Sequence, residues 1–133
     1  MLRPNQLKYN KERKGRIRGQ VSKIPTLAPG NFALKSLECG RISARQIEAT
    51  RRVITRNMKR RGQVWVRIFP SKGITSKPIE VRMGKGKGSV EYWVSSVKKG
   101  KVLFEVGGVS SSTAIKALKD GASKLPVLTK IIT

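Results

Sequence analysis

Ser43-Ala44-Arg45-Gln46-Ile47-Glu48-Ala49-Thr50-Arg51-Arg52-Val53-Ile54-Thr55-Arg56-Asn57-Met58 decides the fold class, because it reads as a helix set among segments of a different period. Ser43 and Gln46, three residues apart, form a capping box in which each side chain satisfies a backbone N–H at the helix start. At about 100° per residue, Ile54 and Met58 fall within about 20° of Ile47 and Ala44 about 60° away, so one stripe is apolar and suited to a core. Gly62 is the expected stop. On the opposite side Arg45, Arg52, Arg56, Lys59 and Arg60 occupy an arc of about 100° with no acid within it to form i,i+4 pairs. A face made only for solubility would interleave signs, so this arc predicts contact with phosphates.

Outward from the helix the period becomes two. Phe32 to Leu37 reads as a short strand before it. After it, Gln63 to Phe69 reads as a strand closed by Pro70, and Ile79, Val81 and Met83 alternate with Glu80 and Arg82. Val90, Tyr92 and Val94 alternate with Glu91, Trp93 and Ser95, and Lys101 to Val106 makes another strand stopped by Gly107-Gly108. Ser110 to Lys124 predicts a second helix with Ile115, Leu118, Ala122 and Leu125 on one face and Pro126 as its stop. Val127 to Ile132 returns as an edge strand. The expected fold is α+β: a mostly antiparallel sheet with two helices packed on it, a basic extended N-terminal arm and a Gly-Lys hairpin loop. Residues 1–31 form the arm and a turn-rich lead-in marked by Pro25, Pro29 and Gly30; residues 32–133 form a single α+β domain.

Composition gives this architecture its partner. The 133 residues contain 30 Lys plus Arg against 7 Asp plus Glu and no His, a formal net charge of +23. Such a field repels itself unless a polyanion neutralises it, and in a soluble protein the usual polyanion is nucleic acid. The same inventory excludes several chemistries. Without His there is neither a Ser-His-Asp nor a Cys-His nucleophile. A lone Cys39 forms no intramolecular disulfide and anchors no zinc site, so it is expected as a small buried hydrophobe, with no metal and no cofactor. A carboxylate pair for metal-dependent cleavage would rest on Glu80 meeting Glu91 across a hairpin, where pairing with neighbouring cations is the simpler reading. No run is long and apolar enough to cross a bilayer, and Met1-Leu2-Arg3-Pro4 lacks the hydrophobic stretch of a signal peptide.

Two further segments bear on binding. Before Gly19 the chain carries Arg3, Lys8, Lys11, Arg13, Lys14, Arg16 and Arg18 against Glu12, with Gly15 interrupting any helix. Extended, about twenty such residues reach roughly 60 Å along a groove, although a solvated disordered terminus has the same composition. Arg82-Met83-Gly84-Lys85-Gly86-Lys87-Gly88 combines alternate glycines, which let backbone approach a ligand closely, with lysines suited to a phosphodiester chain. Its spacing is that of neither a P-loop nor a dinucleotide fingerprint, and by spacing alone a mobile glycine-rich loop fits equally well. Tyr9, Trp65, Tyr92 and Trp93 offer stacking surfaces, with core packing the simpler role for Trp65 and Tyr92. Contacts to phosphate and sugar are expected rather than base readout; Arg41 joins the arm and helix cations as an expected nucleic-acid ligand, as do Lys85 and Lys87.

Four ordered motifs carry a family likeness: Ser43 through Arg52, Trp65-Val66-Arg67-Ile68-Phe69-Pro70, Arg82 through Gly88, and Glu91-Tyr92-Trp93-Val94. Together they resemble the bacterial-type sixteenth-protein family of the large ribosomal subunit, from Met1 to about Pro126. The resemblance implies a structural, non-enzymatic protein bound to large-subunit rRNA at the base of the central protuberance, beside the aminoacyl-tRNA site. It assigns RNA contact to the arm and first helix, and peptidyl-transferase proximity to Arg51, Arg52, Arg56, Arg82, Met83, Gly84, Lys85, Gly86, Lys87 and Gly88. It implies partners in rRNA, aminoacyl-site tRNA and neighbouring ribosomal proteins, with no membrane and no homo-oligomer. Bacterial cytoplasm, mitochondrial matrix and plastid stroma all suit such a protein. A nucleic-acid architectural protein outside the ribosome is the alternative; it would call for an apolar wedge or dimer face.

Overall fold

A computed structural model describes residues 2–22 and 26–133; the turn expected at Pro25 lies outside the described residues. The elements run β1 (Phe32–Ser36), β2 (Gly40–Ser43), α1 (Ala44–Asn57), β3 (Gln63–Val66), β4 (Lys72–Ser76), β5 (Ser89–Val97), β6 (Val102–Gly107), α2 (Ser111–Ala122) and β7 (Thr129–Ile132). This is an α+β fold of two helices packed with antiparallel sheets. No described helix is long and apolar enough to cross a membrane.

The sheet divides in two, ordered β3-β6-β1-β7 and β2-β5-β4, in place of the expected single run of sequential strands. β1 lies between β6 and β7, with Leu34 opposite both Phe104 and Ile131, and β3 continues the sheet through Val66 opposite Phe104. In the smaller sheet β5 is central, pairing Ile42 with Ser95 on one side and Gly73 with Trp93 on the other. β6 is buried along its whole length, so its run of apolar residues fills a central strand covered on both faces.

α1 begins as the sequence predicts. Ser43 accepts from the Gln46 backbone N–H at 3.3 Å, while Gln46 Oε1 accepts from the Ser43 N–H at 2.9 Å. Ala44, Ile47, Ile54 and Met58 are buried as expected. The helix ends at Asn57, earlier than Gly62, because Lys59 and Arg60 already adopt positive φ of 52° and 62°. Removing the cap by Ser43→Ala is expected to lower stability by about 1 kcal/mol, read as a lower urea midpoint with unchanged slope.

α2 lies against α1 through the buried face Ala114, Ala117, Leu118 and Gly121. A Cβ on Gly121 would sit 2.7 Å from Ile54 Cγ1, so the glycine sets how closely the helices approach. Ile115, expected on the packed face, is instead 42% exposed, because the seam follows the small residues that permit this approach. The core joins both helices to the larger sheet through Leu34, Ile47, Ile54, Leu103, Phe104 and Leu118.

Three further expectations are corrected. Residues 79–83 form no strand: Ile79 and Met83 are 103% and 98% exposed. The unforeseen β4 pairs with β5 only to Ser76 opposite Ser89, leaving residues 77–88 beyond the ladder, where Pro78 supplies no N–H. Glu80 and Glu91 therefore do not face each other across a hairpin. Cys39 is exposed, its thiol 3.2 Å from the Gly19 carbonyl, since it lies between β1 and β2 rather than on either. Tyr92 is 43% exposed and outside the core cluster, while Trp65 is partly buried.

Candidate nucleic-acid interface

Residues 2–22 cross the smaller sheet and the start of α1 without forming a helix or strand of their own. Side chains of the folded part hold this segment mainly by its carbonyls. Arg41 Nη2 donates to the carbonyls of Lys14 at 3.1 Å and Gly15 at 2.6 Å, and Val21 N–H donates to the Lys99 carbonyl at 2.9 Å beside the Gln20–Lys99 bridge. Cations bound through carbonyls leave the segment's own charged side chains outward: Arg3, Lys8, Lys11, Arg13, Lys14, Arg16 and Arg18 are all exposed. Lys8 Nζ stands 5.8 Å from the Tyr9 ring centroid. Arg41 differs from the other predicted cations, since its guanidinium is half-buried and already engaged.

Three open hollows adjoin along this side. One of about 390 Å³ gathers Arg51, Arg52, Arg56, Lys59 and Arg60, so ending the helix early still leaves Lys59 and Arg60 beside the helical arginines. Through Arg52 it meets a second of about 820 Å³, where Arg3 and Leu2 of the N-terminal segment face Arg45, Glu48 and Ala49. Arg3 and Arg45 in turn border a third of about 900 Å³, bounded by Lys14, Arg41, Tyr92 and Trp93, with Glu91 as its only acid. Nested cations with few acids make a continuous electropositive surface, chemically suited to a polyanion.

One acid does belong to the helix face, contrary to the sequence expectation. Glu48 accepts from Arg51 Nε and Nη2 at 2.9 and 2.7 Å and from Arg52 Nε at 2.9 Å. The Arg51 hydrogen bond, opposed by partial burial and reinforced by Arg52, holds the Glu48 carboxyl down from 4.5 to about 2, and the pairing raises Arg51. A lowered folded pKa contributes stability above the ordinary carboxylate range, and that contribution is lost as pH falls from about 4.5 toward 2. Glu48→Gln is thus expected to flatten the acid limb of a thermal-midpoint profile between pH 5 and 2. At pH 7 it should tighten polyanion binding several-fold by releasing two arginines.

Residues 77–88 bring the Gly-Lys motif out beyond β4 and β5, with Arg82 through Lys87 exposed and Gly88 partly so. Gly84 and Gly86 adopt φ of +91° and +94°, a conformation that glycine takes without steric cost. Lys77 donates to the Gly84 carbonyl, an internal brace that no sequence pattern signalled. Lys11 Nζ reaches the Lys87 carbonyl at 2.8 Å, and Lys87 Nζ the Glu12 carbonyl, so the N-terminal segment and this loop touch. Two structural acids were also missed. Glu105, wholly buried, lies 3.2 Å from Arg67 Nε and accepts the Gly30 N–H at 3.2 Å, while Asp120 accepts from Asn57 at 2.7 Å between the helices. Glu105 was obscured because a carboxylate within an apolar strand gives no sign of its partner.

A family model described as "Ribosomal protein L16p/L10e" matches residues 4–132. The chain belongs to this family. The Large ribosomal subunit protein uL16 of Cereibacter sphaeroides is 55% identical over 132 residues, covering 99% of this chain and 96% of that one. The proteins of the same name from Paracoccus denitrificans and Hyphomonas neptunium are 54% and 55% identical with the same coverage. Membership of the L16p/L10e family bears out the resemblance carried by the four motifs, and identifies a structural ribosomal protein rather than an enzyme.

Proposed function

We propose that this chain, a structural constituent of the large ribosomal subunit, binds large-subunit rRNA with its N-terminal segment and first helix and sits near the central protuberance beside the aminoacyl-tRNA site. The observation that carries the reading is the adjoining run of hollows from Arg60 to Trp93, where exposed cations outnumber Glu48 and Glu91. Arg45, Arg52, Arg56, Lys59, Arg60 and the cations from Arg3 to Arg18 neutralise phosphates where rRNA strands crowd together, and neighbouring ribosomal proteins complete the setting. Arg51, Arg52, Arg56 and residues 82–88 lie toward tRNA and the peptidyl-transferase region; the exposure of the loop supports this, since such a loop reaches RNA without displacing packed structure. The protein contributes position and counter-charge, and RNA performs the chemistry.

The named relatives are all bacterial, which supports a ribosome in bacterial cytoplasm; nothing among them supports the organelle settings. Family membership likewise favours the ribosome over an architectural role on DNA. Density-gradient separation of ribosomal subunits should find the chain stoichiometric with the large subunit and released by salt, and incubation with labelled rRNA should yield no cut product. Intact large subunits lacking the chain would overturn the proposal.

A further inference from the structure

The largest of the three adjoining hollows does not read as a plain phosphate track. Its cations Arg3, Lys14 and Arg45 share it with Trp93, an aromatic that lies outside the core cluster. Trp93 is held in place, partly buried, on the Gly73 backbone: a Cβ at Gly73 would meet its Cζ3 at 3.3 Å. It also borders a second, smaller hollow under Arg3 and Asn5, so its indole stands where the N-terminal segment and the sheet diverge. Arg41, donating to the Lys14 and Gly15 carbonyls, fixes the segment over this space. About 900 Å³ is ample for a nucleotide, and an anchored indole ringed by cations suits a base flanked by two phosphates.

We infer that this hollow receives one unpaired nucleotide of an RNA strand, its base stacked on Trp93 and its phosphates held by Arg3, Lys14 and Arg45, with Arg41 acting as a positioning residue for the roof. The inference deepens the rRNA-binding reading and rests on it. Duplex RNA keeps its bases stacked on each other, so a stacking slot beside the phosphate-binding helix selects a strand with one base turned out.

The test uses the full chain with Trp65→Phe, which leaves Trp93 as its only tryptophan. It is titrated with a ribose-phosphate tetramer bearing a single adenine and with the same tetramer bearing no base, equal in charge. The adenine strand should bind on the order of tenfold more tightly and quench Trp93 emission. In the otherwise unchanged chain, Trp93→Leu should abolish the preference, read by competition against labelled strand, while leaving the salt dependence intact. Arg41→Gln should weaken the preference and increase proteolysis near Gly15. Equal binding of the two strands, or a preference that survives Trp93→Leu, overturns the slot while leaving salt-sensitive rRNA binding in place. Failure of the unaltered protein to bind large-subunit rRNA at all removes the broader reading and the slot with it.

Discussion

Replacing Arg45, Arg52 and Arg56 together by glutamine is expected to weaken binding to large-subunit rRNA by about 10²-fold at physiological salt and to reduce the slope of log K against log salt by about 2 to 3. All three side chains are exposed on α1, and they border the three adjoining hollows, two of which are also lined by the N-terminal segment. Each phosphate neutralised releases about 0.7 to 0.9 of a counterion, which fixes both numbers from the count of three contacts. Glutamine keeps helix propensity near that of arginine, and Arg52 forfeits only its exposed pairing with Glu48, so the circular dichroism spectrum and thermal midpoint should scarcely move. A filter-binding series from 50 to 400 mM salt reads affinity and slope together. An unchanged slope would mean that these guanidinium groups remain in water when the RNA is bound.

Phe104→Ala is expected to be the most damaging single core change. Phe104 is fully buried in β6 and faces Leu34 on one neighbouring strand and Val66 on the other, so the cavity opens in the middle of the larger sheet. Truncation there costs about 3–5 kcal/mol, a large part of the roughly 5–15 kcal/mol that holds a domain of this kind together. The thermal midpoint should fall by roughly 10–20 °C, with more protein lost to aggregation. Phe104→Leu retains most of the volume and should cost far less, about 1.5 kcal/mol or below. A denaturant titration showing a loss under 1 kcal/mol for alanine would place Phe104 outside the cooperative core. Because Phe104 is distant in role from the cationic face, the surviving folded fraction should keep its salt slope.

The contrast between these two experiments follows the division between local and non-local information. The capping box at Ser43 and Gln46 and the stripe Ile47, Ile54 and Met58 involve residues within a few turns of each other, so spacing alone is sufficient to read them. The excess of cations is likewise a property of composition, independent of folding. The 79–83 alternation misled because period two marks a strand only where a partner strand is available, and β5 had already been matched by Lys72–Ser76. That strand shows no alternation to read because Ile74 is its only large apolar residue, and its Gly73 is what admits Val90 and Trp93 against the backbone. Arg41 looked like any other exposed cation; its commitment to the Lys14 and Gly15 carbonyls depends on where a segment 26 residues away comes to rest.

By itself the sequence determined a basic, histidine-free chain with two amphipathic helices, an α+β pattern and motifs sufficient to place it beside its family. Only the tertiary structure decided that the strands separate into two sheets, that Gly121 rather than Ile115 sets the helix seam, and that Glu48 occupies two of the arginines. Helix periodicity and net charge are carried by near neighbours or by plain sums. Strand partners, close approaches and ion pairs depend on which distant residues arrive together, and that is fixed only when burial of the common core selects one register over the others.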